Sequence, residues 1–239
     1  MRFWRYSCGA MLLCWMVQFG YASSISVDPL EVDLSESTRY QDIQVHNVGN
    51  DIAYVAVDVA RIDHPGEPNQ TAVELNDNPY QIGLIVTPSK LVIPVGQTRI
   101  IRALYVGKPQ NQDVIYRIKV TPVTGQLVAL YSGNKALNAG VHVVIAYGIV
   151  VYARPVQLEP KVTVLRQGTD LTLTNSGNTS VLIGMCKQCP AGASSCKPLP
   201  DLVKRLFPGN QVQVTLPLAA PLKCEEEVLQ NQFVPFNID

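Results

Sequence analysis

The 239-residue sequence predicts an all-β protein made of two sandwich domains. Short β-forming runs recur every eight to twelve residues or so, separated by Gly, Pro, Asn and Asp. No segment keeps the 3.6-residue periodicity of an amphipathic helix. The length that remains after an N-terminal targeting segment suits two domains of roughly 100 to 150 residues each.

The first 22 residues have the features of an export signal. Arg2 and Arg5 precede the apolar residues 11–17, and Gly20-Tyr21-Ala22 supplies the small residues of a cleavage site. A membrane anchor is the alternative, but the apolar core is short and small residues follow it. We expect cleavage near Ser23 and a soluble mature chain in an exported, oxidising compartment, with no membrane insertion.

Seven strands are predicted in about the next 130 residues. Seven antiparallel strands with turn residues at this spacing predict an immunoglobulin-like sandwich. The predicted strands are residues 25–34, 40–47, 53–61, 84–93, 98–106, 114–122 and 141–153.

A weak internal repeat predicts a second domain of the same kind. "VHNVGNDIAYV" at 45–55 is echoed by "LTNSGNTSVLI" at 173–183, each reading as strand, Asn-x-Gly-Asn turn and strand. Gly49 and Gly177 are expected to take positive φ, with the flanking asparagines bonding their own backbone. Because Pro155 ends ladder pairing, the domains are predicted as 23–155 and 156–239.

Four cysteines lie in the last quarter of the chain, outside the signal segment. A C-x-x-C followed by two more cysteines reads as a zinc site in the cytosol, but export favours disulfides. Four cysteines allow three pairings. We expect no metal, and disulfides between Cys186 and Cys196 and between Cys189 and Cys224.

Composition and motifs favour a binding protein over an enzyme. The 19 basic residues balance 19 acidic ones, so the sequence lacks the excess positive charge that nucleic-acid-binding proteins carry. His46, His64 and His142 are far apart, and no nucleophile, metal or nucleotide motif accompanies them. The sequence therefore lacks the nucleophile–base pair that a secreted hydrolase would need, and it implies no cofactor.

"VHVVIAYGIVVYARP" at 141–155 is apolar on both alternating faces of a predicted strand. The run is too short for a membrane helix, which needs roughly 20 residues. Such a strand is either buried between two layers or kept available for a partner. The long connection of residues 124–140 leads into it, and connections of that length are normally functional or mobile.

Several blocks resemble a known family. They are "LIVTPSKLVIPVGQTRIIRALYVG" (84–107), "VIYRIKVTPV" (114–123), the strand ending in "YARP", and "LTNSGNTSVLI" with its downstream cysteines and "LFPG". With them the chain resembles the periplasmic chaperones of the chaperone–usher pathway, closest to the branch that serves colonisation-factor and common-pilus type fimbriae. The likeness covers nearly all of the chain after residue 22.

The resemblance implies two immunoglobulin-like sandwiches in an L-shaped (boomerang) arrangement and a periplasmic protein without catalytic activity. Its partners would be fimbrial (pilin) subunits and an outer-membrane usher, and self-association of the free chaperone stays open. A structural pilin or surface-adhesion sandwich is the alternative. A pilin should be one domain with a free N-terminal extension, whereas residues 23–34 read as an ordinary first strand.

The resemblance also implies a binding mode. A pilin that lacks its last strand receives the chaperone's last domain-one strand, so that main-chain hydrogen bonds complete its sheet. One face of that strand would pack the chaperone's own core and the other would be lent out, with Gly148 forming a bulge that re-aims later side chains. Burial of both faces within the chain is the alternative. The expected donor residues are Val141, Val143 and Ile145, with Tyr147 as a fourth.

One element of the better-known branch is missing. There an Arg on the first strand and a Lys near the end of the donor strand clamp the C-terminal carboxylate of the pilin. The matching positions here are Glu31 and Val150. Surface charges and internal ion pairs are the alternative roles for the remaining cations. The candidate anchors are Arg117 and Lys119, which alternation turns away from the apolar face of their strand, and also Arg102 and Arg154.

Overall fold

The computed structural model describes residues 25–74, 82–123 and 144–238. These residues form eighteen strands in four sheets, so the predicted all-β class is confirmed. Nowhere in these three ranges is a helix long and apolar enough to cross a membrane. The strands are β1 (Ile25–Asp28), β2 (Glu31–Leu34), β3 (Tyr40–Asn47), β4 (Ala53–Asp63), β5 (Thr71–Glu74), β6 (Leu84–Thr87), β7 (Lys90–Ile93), β8 (Thr98–Tyr105), β9 (Val114–Pro122), β10 (Tyr147–Ala153), β11 (Val162–Gln167), β12 (Asp170–Asn175), β13 (Val181–Gln188), β14 (Lys197–Pro198), β15 (Lys204–Leu206), β16 (Gln211–Thr215), β17 (Leu222–Glu227) and β18 (Phe233–Ile238).

Strands β1 to β10 form an N-terminal sandwich. One sheet has the order β1-β3-β8-β6, and the other has the order β2-β10-β9-β4-β5 with β7 also paired to β4. Residues of alternate parity, such as Ile43 and Val45 on β3, are fully buried in the core between the sheets. The predicted strands 25–34 and 84–93 are each divided between the two sheets. Each division falls at a proline, Pro29 or Pro88, whose missing N–H cannot continue a ladder.

Strands β11 to β18 form a C-terminal sandwich with its own core. One sheet has the order β11-β12-β16. The other has the order β14-β13-β17-β18, with β15 also paired to β13. Leu173 on β12, Ile183 on β13 and Leu222 on β17 are almost fully buried between these sheets.

The internal repeat folds into the same corner in both sandwiches. Asn47 and Asn175 are buried, and the Oδ1 atom of each accepts a hydrogen bond of 2.9 Å from the N–H two residues later. The Nδ2 atom of Asn47 donates to the carbonyls of Asp51 and Ile93. In the same way, the Nδ2 atom of Asn175 donates to the carbonyls of Thr179 and Leu206. The predicted asparagine-to-backbone bonds are therefore present.

The predicted positive φ at Gly49 and Gly177 is wrong, because neither residue is among the left-handed glycines. The Asn side chain closes each turn with ordinary backbone angles. Gly177 is needed for a different reason. A β-carbon there would collide with the Glu159 carbonyl oxygen and the Lys161 nitrogen, so only glycine lets the linker pass this close.

The predicted disulfide pairing is also wrong. All four cysteines are bonded, but Cys186 joins Cys224 and Cys189 joins Cys196. Strands β13 and β17 are neighbours in one sheet, so Cys186 and Cys224 meet on its core face with their Cα atoms 4.1 Å apart. Cys189 follows β13 directly and is left to bond with Cys196 across the turn.

Candidate binding site

Strand β10 has an open edge at its N-terminal end. It pairs with β9 along its whole length, from Tyr147 opposite Val120 onward. On its other side it pairs with β2 only from Val150 onward. Among the described residues, no strand pairs with residues 147–149 on the side away from β9, so main-chain groups there are free to bond a further strand.

From Ile149 to Ala153 both faces of β10 are covered by the chain itself. Ile149, Val151 and Ala153 lie in the N-terminal core. Val150 and Tyr152 belong to a second cluster that includes Phe207 of the C-terminal sandwich. The expectation that one face of this part is lent out is therefore wrong, and the alternative of burial on both faces holds for it.

The predicted bulge at Gly148 is also wrong. The register of β10 against β9 is continuous from Tyr147 to Ala153, so ordinary alternation turns Val150 and Tyr152 toward the C-terminal sandwich.

Of the expected donor residues, Val141 and Val143 lie outside the described residues. Ile145 is 54% exposed. Tyr147 is half-buried and packs against the N-terminal core. Of the four, Ile145 is thus the described side chain that is free for a partner, and it sits beside the open edge.

Arg154 joins the two sandwiches and has no capacity left for a ligand. Its side chain is 3% exposed and lies 2.6 Å from Asp33 and 2.7 Å from Asp113. It also donates to Thr179, to Ser180 and, at 2.7 Å, to the Val228 carbonyl. The guanidinium lies over the ring of Tyr152, with 4.4 Å to the ring centroid. Arg154 therefore belongs to an internal ion pair, which is the alternative role given above for the candidate anchors.

Arg102 is remote from β10. It lies on the outer face of the other sheet, where it makes two hydrogen bonds to the Asp42 carboxylate at 2.6 and 2.8 Å. The guanidinium stacks over Tyr40 and holds the pKa of the Asp42 carboxyl below its usual value. Arg102 is therefore also an ion-paired residue.

Arg117 and Lys119 lie together on the exposed face of β9. In the described part of the chain neither takes part in an ion pair. They border a cavity of about 430 Å³ that is also lined by the carboxylates of Asp58 and Glu74 and by small residues such as Gly148. The hydroxyl of Thr121, two residues further along the same face, is buried and has no hydrogen-bond partner among the described residues. Arg117 and Lys119 thus present two cationic donors, one strand away from the open edge, that suit a carboxylate.

Glu31 on β2 and Val150 on β10 lie opposite each other on paired strands. Two residues that clamp one carboxylate have to be neighbours in this way. Here the carboxylate of Glu31 bonds to Arg205 at 3.0 Å, and Arg205 also lies over Tyr152. Glu31 is negatively charged where the clamp has a positively charged Arg, and it forms an ion pair with Arg205 of the same chain. Sequence reasoning missed Arg205 because no local pattern links it to a residue of the other sandwich.

Comparison with known proteins supports the resemblance. No family model matches the chain. It is 23% identical over 164 residues to a CFA/I fimbrial subunit of Escherichia coli, covering 68% of this chain and 67% of that protein. It is 22% identical over 206 residues to a CS1 fimbrial subunit of Escherichia coli, covering 82% of each.

Solved structures extend the likeness to the whole fold. The class 5 fimbriae chaperone CfaA superposes with a TM-score of 0.61 at 18% identity, over 90% of this chain and 98% of that one. The chain has the fold of the pilus chaperones. The Escherichia coli chaperone DraB gives 0.63 at 14% identity, over 91% and 98%. The Salmonella enterica SafA pilin–SafB chaperone complex gives 0.63 at 13% identity, over 91% and 99%. The two-sandwich, all-β fold implied by the resemblance is thereby confirmed.

Proposed function

We propose that this protein is a periplasmic chaperone that binds fimbrial subunits by lending them a strand. The observation that carries the proposal is the open edge of β10 with the exposed Ile145 beside it. The pilus-chaperone fold supports it, as does the existence of a related chaperone in complex with a pilin. The proposal includes removal of residues 1–22, a first domain that ends at Pro155, and delivery of the pilin to an outer-membrane usher without catalysis or a cofactor.

In this proposal the strand is extended upstream of Tyr147, with Val141, Val143 and Ile145 as donor side chains. They share the parity of the core-facing Ile149, so the donor row continues the row that fills the chaperone's own core. Burial of three aliphatic side chains contributes on the order of 5 to 9 kcal/mol before ordering costs. Tyr147 is half-buried in its own core and marks the end of the donor row.

We further propose that Arg117 and Lys119 hold the C-terminal carboxylate of the pilin. Both are exposed, border a cavity that Asp58 and Glu74 also line, and lie one strand away from the open edge. Arg102 and Arg154 are excluded from this role because carboxylates within the chain already occupy them. Arg117→Ala should weaken capture of an unmodified, full-length pilin and leave capture of a C-terminally amidated pilin unchanged.

Periplasmic co-purification with a fimbrial pilin tests the donor assignment. Because a buried, unpaired carboxylate is costly, Val143→Glu and Ile145→Glu should each weaken binding at least about 100-fold. Ile100→Glu is the matched control, since Ile100 is 53% exposed on the other sheet of the same sandwich. Pilin recovery that is unchanged by both donor charges would falsify the assignment. Self-assembly of the chain into fibres, without a bound pilin, would favour the structural-protein alternative.

A further inference from the structure

Strand β16 of the C-terminal sandwich has one free edge. It pairs with β12 along its whole length, and no strand in the described part of the chain pairs with it on the other side. Val212 and Val214 pack against the core. The other three side chains of the strand are exposed on the outer face; they are Gln211, Gln213 and Thr215. One edge of this sheet is therefore a regular strand that lacks a neighbour.

The hydrogen bonds to β12 show which main-chain groups of β16 face the free edge. The Leu216 N–H, directly after the strand, donates to the Thr169 carbonyl, directly before β12. Because bonded and non-bonded pairs alternate along an antiparallel ladder, every second residue before Leu216 also bonds toward β12. The main-chain groups of the residues between them, including Gln213 at the centre of the strand, point away from the sheet.

This edge lacks the features by which sheet edges usually avoid pairing. Edge strands are commonly blocked by a proline, a charged side chain or a bulge. The other edge strands described in this sandwich contain such a residue, namely Pro235 on β18, Pro198 on β14, Arg166 on β11 and Arg205 on β15. The sequence of β16, QVQVT, has neither a proline nor a charge, and its register against β12 is continuous. It is thus open to a further strand.

A groove of about 480 Å³ lies beside the free edge. It is lined by Gln213 and its neighbours on β16 and by the connection of residues 197–202. Lys197, Asp201 and Lys204 border the groove, and within the described residues none of the three takes part in an ion pair. Both signs of charge are therefore available at one edge, which suits an interface between two identical surfaces.

We propose that two copies of this chain associate through the free edge, with β16 against β16 in antiparallel orientation. A two-fold axis at Gln213 places this residue opposite its own copy and places Gln211 opposite Thr215 of the second copy. All three residues point their main-chain groups outward, so each pair can exchange both of its N–H···O bonds. The two three-stranded sheets form one continuous sheet, and each groove offers its two lysines to Asp201 of the other copy.

The proposed dimer does not depend on the proposed function. It uses the C-terminal sandwich, whereas the donor edge belongs to β10 of the N-terminal one. A single pair of five-residue strands makes a small interface, so the dimer is weak and reversible. Both donor edges stay free in it, and a dimer carries two pilins.

Analytical ultracentrifugation of the full chain after signal removal, from micromolar to millimolar concentration, tests the association. We expect a dimer whose population rises with concentration. Gln213→Pro should weaken it at least about tenfold, because proline removes an N–H that faces the second copy and not β12. Its melting temperature, measured at a concentration where the wild type is monomeric, should be close to that of the wild type. A wild-type chain that stays monomeric throughout, or a proline variant that associates equally well, overturns the proposal.

Cysteine cross-linking gives an independent, positive readout. Across the proposed axis the two copies of residue 213 lie directly opposite, with a Cα separation of about 5.5 Å that suits a disulfide. Gln213→Cys should therefore form a linked dimer under mild oxidation, located by peptide mapping. Leu165→Cys is the matched control, because Leu165, Thr172 and Gln213 form one cross-strand row and Leu165 has the equivalent place at the opposite edge. Equal cross-linking of the two variants overturns the proposal.

Association through the open edge of β10 is the competing outcome. If β16 forms the dimer, Ile145→Glu should associate like the wild type. A dimer that is abolished by Ile145→Glu and unaffected by Gln213→Pro overturns the proposal and assigns the contact to β10.

Discussion

Replacing Arg154 with methionine removes the charge that ties the two sandwiches together. The side chain of Asp113 is fully buried and that of Arg154 is 3% exposed. Asp113 also accepts hydrogen bonds from the Ser180 N–H and the Thr179 hydroxyl, so its carboxylate would stay in place without its cation. An uncompensated buried charge of this kind costs about 3 to 5 kcal/mol of unfolding free energy.

The size of this loss can be checked by urea and thermal unfolding, each followed by both fluorescence and circular dichroism. For a chain of this length, 3 to 5 kcal/mol corresponds to a fall in melting temperature of roughly 6 to 20 °C. Because the network joins two cores, the two probes should cease to coincide in the variant. Arg102→Met is the control: its ion pair with Asp42 is solvent-exposed, so little change is expected.

A double variant separates the unpaired charge from lost packing. Adding Asp113→Asn to Arg154→Met removes the buried charge but keeps a hydrogen-bonding side chain. It should recover about 1 to 3 kcal/mol of the loss. If Arg154→Met costs less than about 1 kcal/mol, or if the double variant is the sum of the two single ones, the network does not act as a buried ion pair and the reasoning is refuted.

Three further predictions concern stability. Asn175→Ala should lower the free energy of unfolding by about 2 to 4 kcal/mol, because it leaves two buried carbonyls and a turn N–H without a partner. Asn47→Ala leaves one buried and one part-buried carbonyl and should cost about 1 to 3 kcal/mol; an unchanged melting temperature in either variant would contradict this role. Loss of the Cys186–Cys224 disulfide, with its sequence separation of 38, should cost about 4 kcal/mol, and peptide mapping without reduction should find this linkage. Burial raises the pKa of Tyr152 to about 12, so its contribution to stability is constant below pH 10 and is lost as the pH rises from 10 to 12. Tyr152→Phe should flatten the fall in melting temperature over that range, and an unchanged slope would contradict this assignment.

Alternation and turn residues were enough to predict most strands of the N-terminal sandwich, because a half-buried strand shows its period of two directly. The same signal did not reveal that residues 25–34 and 84–93 change sheets. Both halves of each run alternate normally, and the only local sign of the break is a single proline, Pro29 or Pro88, that also fits a continuous edge strand.

The exposure of candidate site residues could be predicted where it depends on local order, and their contacts were missed where they depend on distant partners. The exposure of Ile145 and of Arg117 could be read from the residues around each of them, and their part in binding stays a prediction. The role of Arg154 could not, since its partners lie 25 to 121 residues away along the chain. The pairing of Cys186 with Cys224 likewise follows from which strands are neighbours in the C-terminal sheet, and spacing does not encode this.

The linker between the sandwiches is fastened along its length. Ser176 and Asn178 donate backbone hydrogen bonds to the carbonyls of Lys161 and Glu159, and the Asn178 side chain bonds to both Gln157 and Glu159. Residues 157–161 are thereby held to the C-terminal sandwich, while the Arg154 N–H bonds to the Leu34 carbonyl of the N-terminal one, so Pro155 and Val156 alone connect the two anchored stretches of chain.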